Sequence, residues 1–121
     1  MPFDEYNATV MDHFLNPRNT GELKDATAVA TVKNEACGDT LKLSVKIDAG
    51  RVVAARTKTF GCTAAIASAS ALTELLVGRS IAEARAIRDV DIVALLGGLP
   101  PEKEKCSLVG EQAIRAVLGS A

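Results

Sequence analysis

The chain contains no tryptophan, one tyrosine and three phenylalanines, so aromatic residues fill only 3% of its 121 positions. Platforms that hold single-stranded nucleic acid stack bases on aromatic rings, and this composition cannot build one. Excess charge is missing too. Against 14 basic side chains stand 15 acidic ones, and a formal net charge of -1 gives no whole-molecule grip on phosphate backbones. No stretch approaches about 18 consecutive apolar residues, the least that reads as a membrane-spanning helix. The opening, Met1-Pro2-Phe3-Asp4-Glu5-Tyr6, lacks the basic front and apolar centre of a secretory signal. Nucleic acid and membrane are thus excluded as partners, and a reducing cytoplasm is the expected compartment. Cysteine is scarce and odd in number: Cys37, Cys62 and Cys106 do not make a disulfide framework, and free thiols in such a compartment serve metals or reactions.

What is present is ample apolar material, 48% of residues, enough for one core over residues 1–121 as a single domain. Tyr6, Val10, Met11, Phe14 and Leu15 recur at helical spacing and Pro17 blocks continuation, which predicts an amphipathic helix over 4–15. Residues 27–35 read as a strand. Leu41, Leu43, Val45 and Ile47 alternate with Lys42, Ser44, Lys46 and Asp48, a half-buried strand. Ala49-Gly50 turns the chain, and Arg51 to Phe60 returns as its hairpin partner. Thr63 to Val77 predicts a helix apolar on most sides, ended by Gly78. Ser80-Ile81-Ala82-Glu83 has the form of a capping box opening another helix. Gly97-Gly98-Leu99-Pro100-Pro101 breaks the chain before a last helix striped by Val109, Ala113, Ile114, Val117 and Leu118. Strands first and helices afterwards predict an α+β fold, a small antiparallel sheet of about three strands packed against several helices.

The cysteines fall at element ends on this map. Cys37 lies in Ala36-Cys37-Gly38-Asp39 between two strands, Cys62 in Phe60-Gly61-Cys62-Thr63 between strand and helix, and Cys106 near the start of the last helix. Glycine beside two of them lets a backbone approach a bound group closely. A thiolate near a helix N-terminus is favoured by the unpaired amides and the dipole. No short Cys-x-x-Cys pair occurs, so spacing leaves two readings open: three unrelated thiols, or one site. Asp39 can complete a set of three thiolates and one carboxylate suited to zinc or iron, or it can be only a turn residue after Gly38.

These residues also carry a resemblance. Tyr6 with Asp12-His13-Phe14-Leu15-Asn16-Pro17-Arg18-Asn19, then Ala36-Cys37-Gly38-Asp39, Thr59-Phe60-Gly61-Cys62-Thr63-Ala64-Ala65-Ile66-Ala67-Ser68, and Leu99-Pro100-Pro101-Glu102-Lys103 with Cys106-Ser107 resemble the IscU/NifU family of iron–sulfur cluster assembly scaffolds. The match runs in order along essentially the whole chain and is most similar to the N-terminal domain of NifU. Further domains of full NifU are not expected in this sequence, and the insertion between the second and third cysteines of the related SufU proteins has no room here. The resemblance implies a scaffold or carrier in place of an enzyme, holding a labile two-iron cluster on Cys37, Asp39, Cys62 and Cys106, with zinc as an occupant of the apo form. It implies a cysteine desulfurase as sulfur donor and apoproteins as acceptors. A zinc-bound persulfide acceptor resembling SufU is the alternative.

Two departures stand out. Glu102, in the NifU-like Pro-Pro-Glu-Lys form, stands where IscU typically carries the Val of Leu-Pro-Pro-Val-Lys, which argues against partnership with the chaperone dedicated to IscU. Lys105 replaces the His usually found before the third cysteine. A protonated lysine has no lone pair for a metal. Its charge instead favours the Cys106 thiolate, making Cys106 the expected sulfur acceptor and Lys105 its activating neighbour. The only histidine, His13, reads as a packing or surface residue. Lys42, Lys46, Arg51, Arg56 and Lys58 read as a solvated hairpin face, or as a docking face for an acidic desulfurase surface. Tyr6 is a candidate for self-association into a homodimer.

Overall fold

The computed structural model describes residues 6–34, 38–100, 103 and 108–119. Among the described residues eight elements follow in order: α1 (Ala8–Leu15), β1 (Ala28–Asn34), β2 (Asp39–Asp48), β3 (Arg51–Phe60), α2 (Thr63–Leu76), α3 (Ile81–Arg85), α4 (Asp89–Leu96) and α5 (Leu108–Leu118). The fold is α+β, as expected from the strands-then-helices pattern. The three strands form one antiparallel sheet in the order β1-β2-β3.

The first helix begins later than its apolar spacing suggests. Asn7 is in extended backbone and its side chain accepts the Val10 amide at 2.8 Å, so the cap sets the start at Ala8. The hairpin turn matches its reading: Ala49 and Gly50 both have positive φ, 50° and 75°, the primed geometry whose twist suits the flanking strands. At the end of α2 the cap is Val77, in extended backbone, and Gly78 follows with φ 92°. The Ser80 capping box is formed in both directions, with Glu83 N–H donating to Ser80 Oγ and Ser80 N–H to Glu83 Oε1. The helical stretch after it divides in two, because Arg88 and Asp91 build a new N-terminus for α4.

One face of the sheet is dry. Val32, Leu41 and Thr59 form one cross-strand row and Ala30, Leu43 and Thr57 the next, with Leu41 and Leu43 fully buried. α5 packs on β1 and β2, α2 packs on β3, and α1 and α4 pack on α2. The small side chains of α2 permit this crowding: Ala64, Ala65, Ala67, Ser68, Ala69, Ser70 and Ala71 are all buried. Leu72, Leu76, Ile92, Leu96 and Ile114 fill the space between helices, each contributing about 1.5–3 kcal/mol on burial. Tyr6 also packs, partly buried, against this core.

The opposite face corrects the view of an open basic hairpin. Lys42 lies directly across from Lys58, a like-charge pairing that Glu22 relieves by reaching both ammonium groups. Asp25 pairs with Lys46 at 2.6 Å. The 22–26 segment thus neutralises the middle of the face, while Arg51, Arg56 and Lys58 remain exposed.

Candidate functional site

Two of the four expected ligands, Asp39 and Cys62, are within the described residues, and the structure brings them together. Asp39 opens β2 opposite Asn34 of β1 and is only 2% exposed. Cys62 is the N-cap of α2, in extended backbone, and is partly buried. The Asp39 carboxylate bridges the two elements: Oδ1 accepts the Cys62 amide at 3.2 Å, and Oδ2 lies 3.7 Å from the Cys62 thiol, which donates to it. A carboxylate is therefore seated at the positive end of a 14-residue helix, where anionic groups are favoured. Cys37, Lys105 and Cys106, with Glu102, lie outside the described residues.

The glycine beside Cys62 makes room for Asp39. A β-carbon on Gly61 would stand 2.3 Å from Asp39 Oδ1, so the group that needs its bare backbone is the Asp39 side chain. Gly38 has φ 73°, a left-handed conformation suited to the turn before Asp39, and its amide donates to Asn34 O at 2.7 Å. Phe60, next to Gly61, projects from the other face of the sheet and is 83% exposed.

Sequence reasoning missed the network that supports α2 behind this site. His13 is a packing residue, 5% exposed, with Nδ1 2.8 Å from Ser70 Oγ and Nε2 3.2 Å from Glu74 Oε1. Ser70 Oγ also accepts the Arg18 amide at 2.9 Å, and Asn19 donates to Thr73 Oγ1 at 3.1 Å. Burial holds the His13 pKa below the usual imidazole range, with Arg18 adding to the effect. Arg18 pairs with Asp12, which pulls that carboxyl below its ordinary range. The Asn-Pro-Arg-Asn loop is thus pinned to the middle of α2. The only signals in the sequence were a lone histidine on the apolar side of α1 and serines inside an apolar helix.

Chemically, the described half of the site offers one hard oxygen donor and one soft sulfur donor at neighbouring positions. That mixture suits a thiophilic metal held by a set with one exchangeable ligand.

Comparisons with known proteins give the family of the chain. The model of the NifU-like N-terminal domain family matches residues 5–120. The iron–sulfur cluster assembly enzyme IscU of Drosophila melanogaster is 46% identical over 122 residues, covering 98% of this chain and 79% of the relative. The scaffold protein IscU of Aquifex aeolicus is 44% identical over 116 residues, covering 94% of this chain and 74% of the relative. The nitrogen fixation protein NifU of Azotobacter chroococcum is 40% identical over 118 residues, which span 96% of this chain and 38% of that protein. Among solved structures, a protein described as a cluster assembly scaffold for the SUF system of Fervidobacterium islandicum shares the fold. Its TM-score is 0.81 at 20% identity, with 98% and 99% of the two chains covered. With a family model matched over nearly its full length and relatives above 40% identity, the chain belongs to the NifU-like N-terminal domain family.

Proposed function

We propose that the protein is a scaffold on which an iron–sulfur cluster is assembled from iron and from sulfur supplied by a cysteine desulfurase, and from which the cluster passes to acceptor apoproteins. The observation that carries this reading is the seating of Asp39 against Cys62 at the N-terminus of α2. Cys37 and Cys106 complete the donor set. Iron and sulfide are cargo here, and a scaffold has to release them. Three thiolates with one carboxylate hold a two-iron cluster less firmly than four thiolates, because the oxygen donor is the weaker partner for iron in a sulfur-rich site. The names of the relatives support an assembly role for a carrier protein.

Sulfur enters by thiolate exchange. The Cys106 thiolate attacks the outer sulfur of the desulfurase persulfide, the new S–S bond forms on Cys106, and the desulfurase thiolate leaves. The Lys105 ammonium favours the attacking thiolate form.

Anaerobic reconstitution with ferrous iron, cysteine, a desulfurase and a dithiol reductant, which supplies the electrons that bring persulfide sulfur to sulfide, tests the reading. Visible charge-transfer absorption with stoichiometric iron and sulfide is expected. Tightly held zinc, rapid persulfide turnover and no iron uptake would overturn it in favour of a zinc-bound sulfur-transfer protein, the reading that Lys105 in place of histidine favours. Asp39→Ala should lengthen the lifetime of the assembled cluster on the protein, and a shorter lifetime would count against the release role of Asp39.

A further inference from the structure

β3 has one edge on β2 and another that faces the 17–21 loop. Along that second edge the loop forms a single parallel bridge, Thr20 to Thr57: Thr57 N–H donates to Asn19 O at 3.0 Å and Gly21 N–H donates to Thr57 O at 2.8 Å. The outward use of both Thr57 backbone groups makes its pairing with Leu43 the non-hydrogen-bonded kind. Antiparallel pairs alternate, and the only register shift lies far away at Lys46/Ile47. Thr59, two residues on and opposite Leu41, therefore also turns its amide and carbonyl to the open edge. The loop does not follow it there. At Gly21, φ 108°, the chain swings away and Glu22 goes to Lys42. Among the described residues no backbone group pairs with the outward amide and carbonyl of Thr59, and its buried hydroxyl also has no hydrogen-bond partner.

The place the loop vacates is a cavity of about 330 Å³ between Pro17 and Thr20 of the loop, Thr57 and Thr59 of β3, and Ile66 and Ser70 of α2. That volume is at the small end of ligand cavities, which run roughly 300–1,000 Å³. Its rim is cationic. Lys58 is 61% exposed and its nearest carboxylate, Glu22 at 4.0 Å, is shared with Lys42; Arg56 has no ion pair among the described residues. We propose that this edge takes an extended acidic segment of a protein partner by strand addition, with the Thr59 amide and carbonyl as ladder partners, apolar side chains against Ile66 and carboxylates toward Lys58 and Arg56. Thr59 precedes Cys62 by three residues and Ile66 follows it by one helical turn, so the segment anchors its owner beside the candidate site. Only this last meaning rests on the scaffold reading; the binding does not.

The test uses the apo protein, labelled with ¹⁵N, and the acetylated, amidated pentapeptide Val-Glu-Val-Glu-Val as probe. Amide shifts should concentrate at Thr20, Lys58, Thr59 and Ile66, and exchange of the Thr59 amide should slow. A backbone N-methylated probe should bind about tenfold more weakly, the loss expected for one net hydrogen bond. A Val-Lys-Val-Lys-Val probe should also bind more weakly. Ile66→Trp should fill the cavity and abolish binding; Lys58→Glu, on the exposed rim, should weaken binding in a chain whose core is untouched. Absence of shifts at millimolar peptide, or equal binding of all three probes, would overturn the proposal. So would a Thr59 amide already protected without peptide, which would mean that the edge is filled by the chain itself or by a second copy. Iron plays no part in the readout, so this outcome and that of cluster reconstitution are independent.

Discussion

The carboxylate of Asp39 occupies the space that a side chain on Gly61 would need: a β-carbon there would meet Oδ1 at 2.3 Å, Cγ at 2.7 Å and Cβ at 2.9 Å. Gly61→Ala should therefore expel Asp39 from the Cys62 amide and cost about 1–3 kcal/mol, the range for overpacked sites. In an Asp39→Gly background the same substitution should cost far less, since the clashing atoms are gone. Urea midpoints of the four proteins in this cycle check the coupling.

The environment of His13 sets a pH dependence. The folded state resists the proton that the unfolded chain accepts near the ordinary histidine value of about 6.5. Stability from this group is full above that value and is lost as the pH falls through it toward the lower folded-state pKa. Urea midpoints should therefore drop between neutral and mildly acidic pH. His13→Gln, which keeps a hydrogen-bonding amide and cannot titrate in this range, should flatten the drop; an unchanged slope would assign it to other groups.

Gly110 sits inside α5, where alanine normally improves helix stability by about 1 kcal/mol. Here a β-carbon would lie 2.9 Å from Ile92 Cδ1 and 3.3 Å from Leu72 Cδ2, in a fully buried contact. Gly110→Ala should lower stability by about 1 kcal/mol as overpacking outweighs propensity. Adding Ile92→Val, which removes the nearest atom, should recover most of the loss in thermal unfolding.

Ser80 closes a reciprocal cap on a helix only five residues long, so α3 has little else to hold its first turn. Ser80→Ala should cost about 1 kcal/mol. The Glu83 carboxyl, held below its ordinary range chiefly by the Ser80 backbone amide and then by the Ser80 side chain, should titrate higher in the variant. Carboxyl shifts followed by NMR read this directly.

The strands and most helices were legible because their signals are local. Alternation from Leu41 to Ile47, the Ala49-Gly50 turn and the Ser80–Glu83 spacing each state their own geometry. The start of α1 was not, because apolar periodicity continues past the point where the Asn7 side chain caps the chain. The site was half legible. Asp39 and Cys62 stood out as chemistry at element ends, and the structure sets them in contact. Their dependence on Gly61 was hidden, since nothing local says which group will approach a glycine. The His13–Ser70–Glu74 chain was hidden for the same reason: it joins residues 57 positions apart whose types are unremarkable one by one.

The 22–26 segment, finally, is fastened in two unlike ways. At its flanks backbone hydrogen bonds hold it, Gly21 to Thr57 at 2.8 Å and Thr27 to Val45 at 2.7 Å. Between them it is tied by the exposed ion pairs of Glu22 and Asp25. In about 1 M salt the screening length shrinks to ~3 Å, and such pairs weaken while the backbone bonds do not. Ionic strength thus acts as a dial on this strap: raised salt loosens its middle, keeps its ends in place, and returns Lys42 and Lys46 to solvent without touching the core.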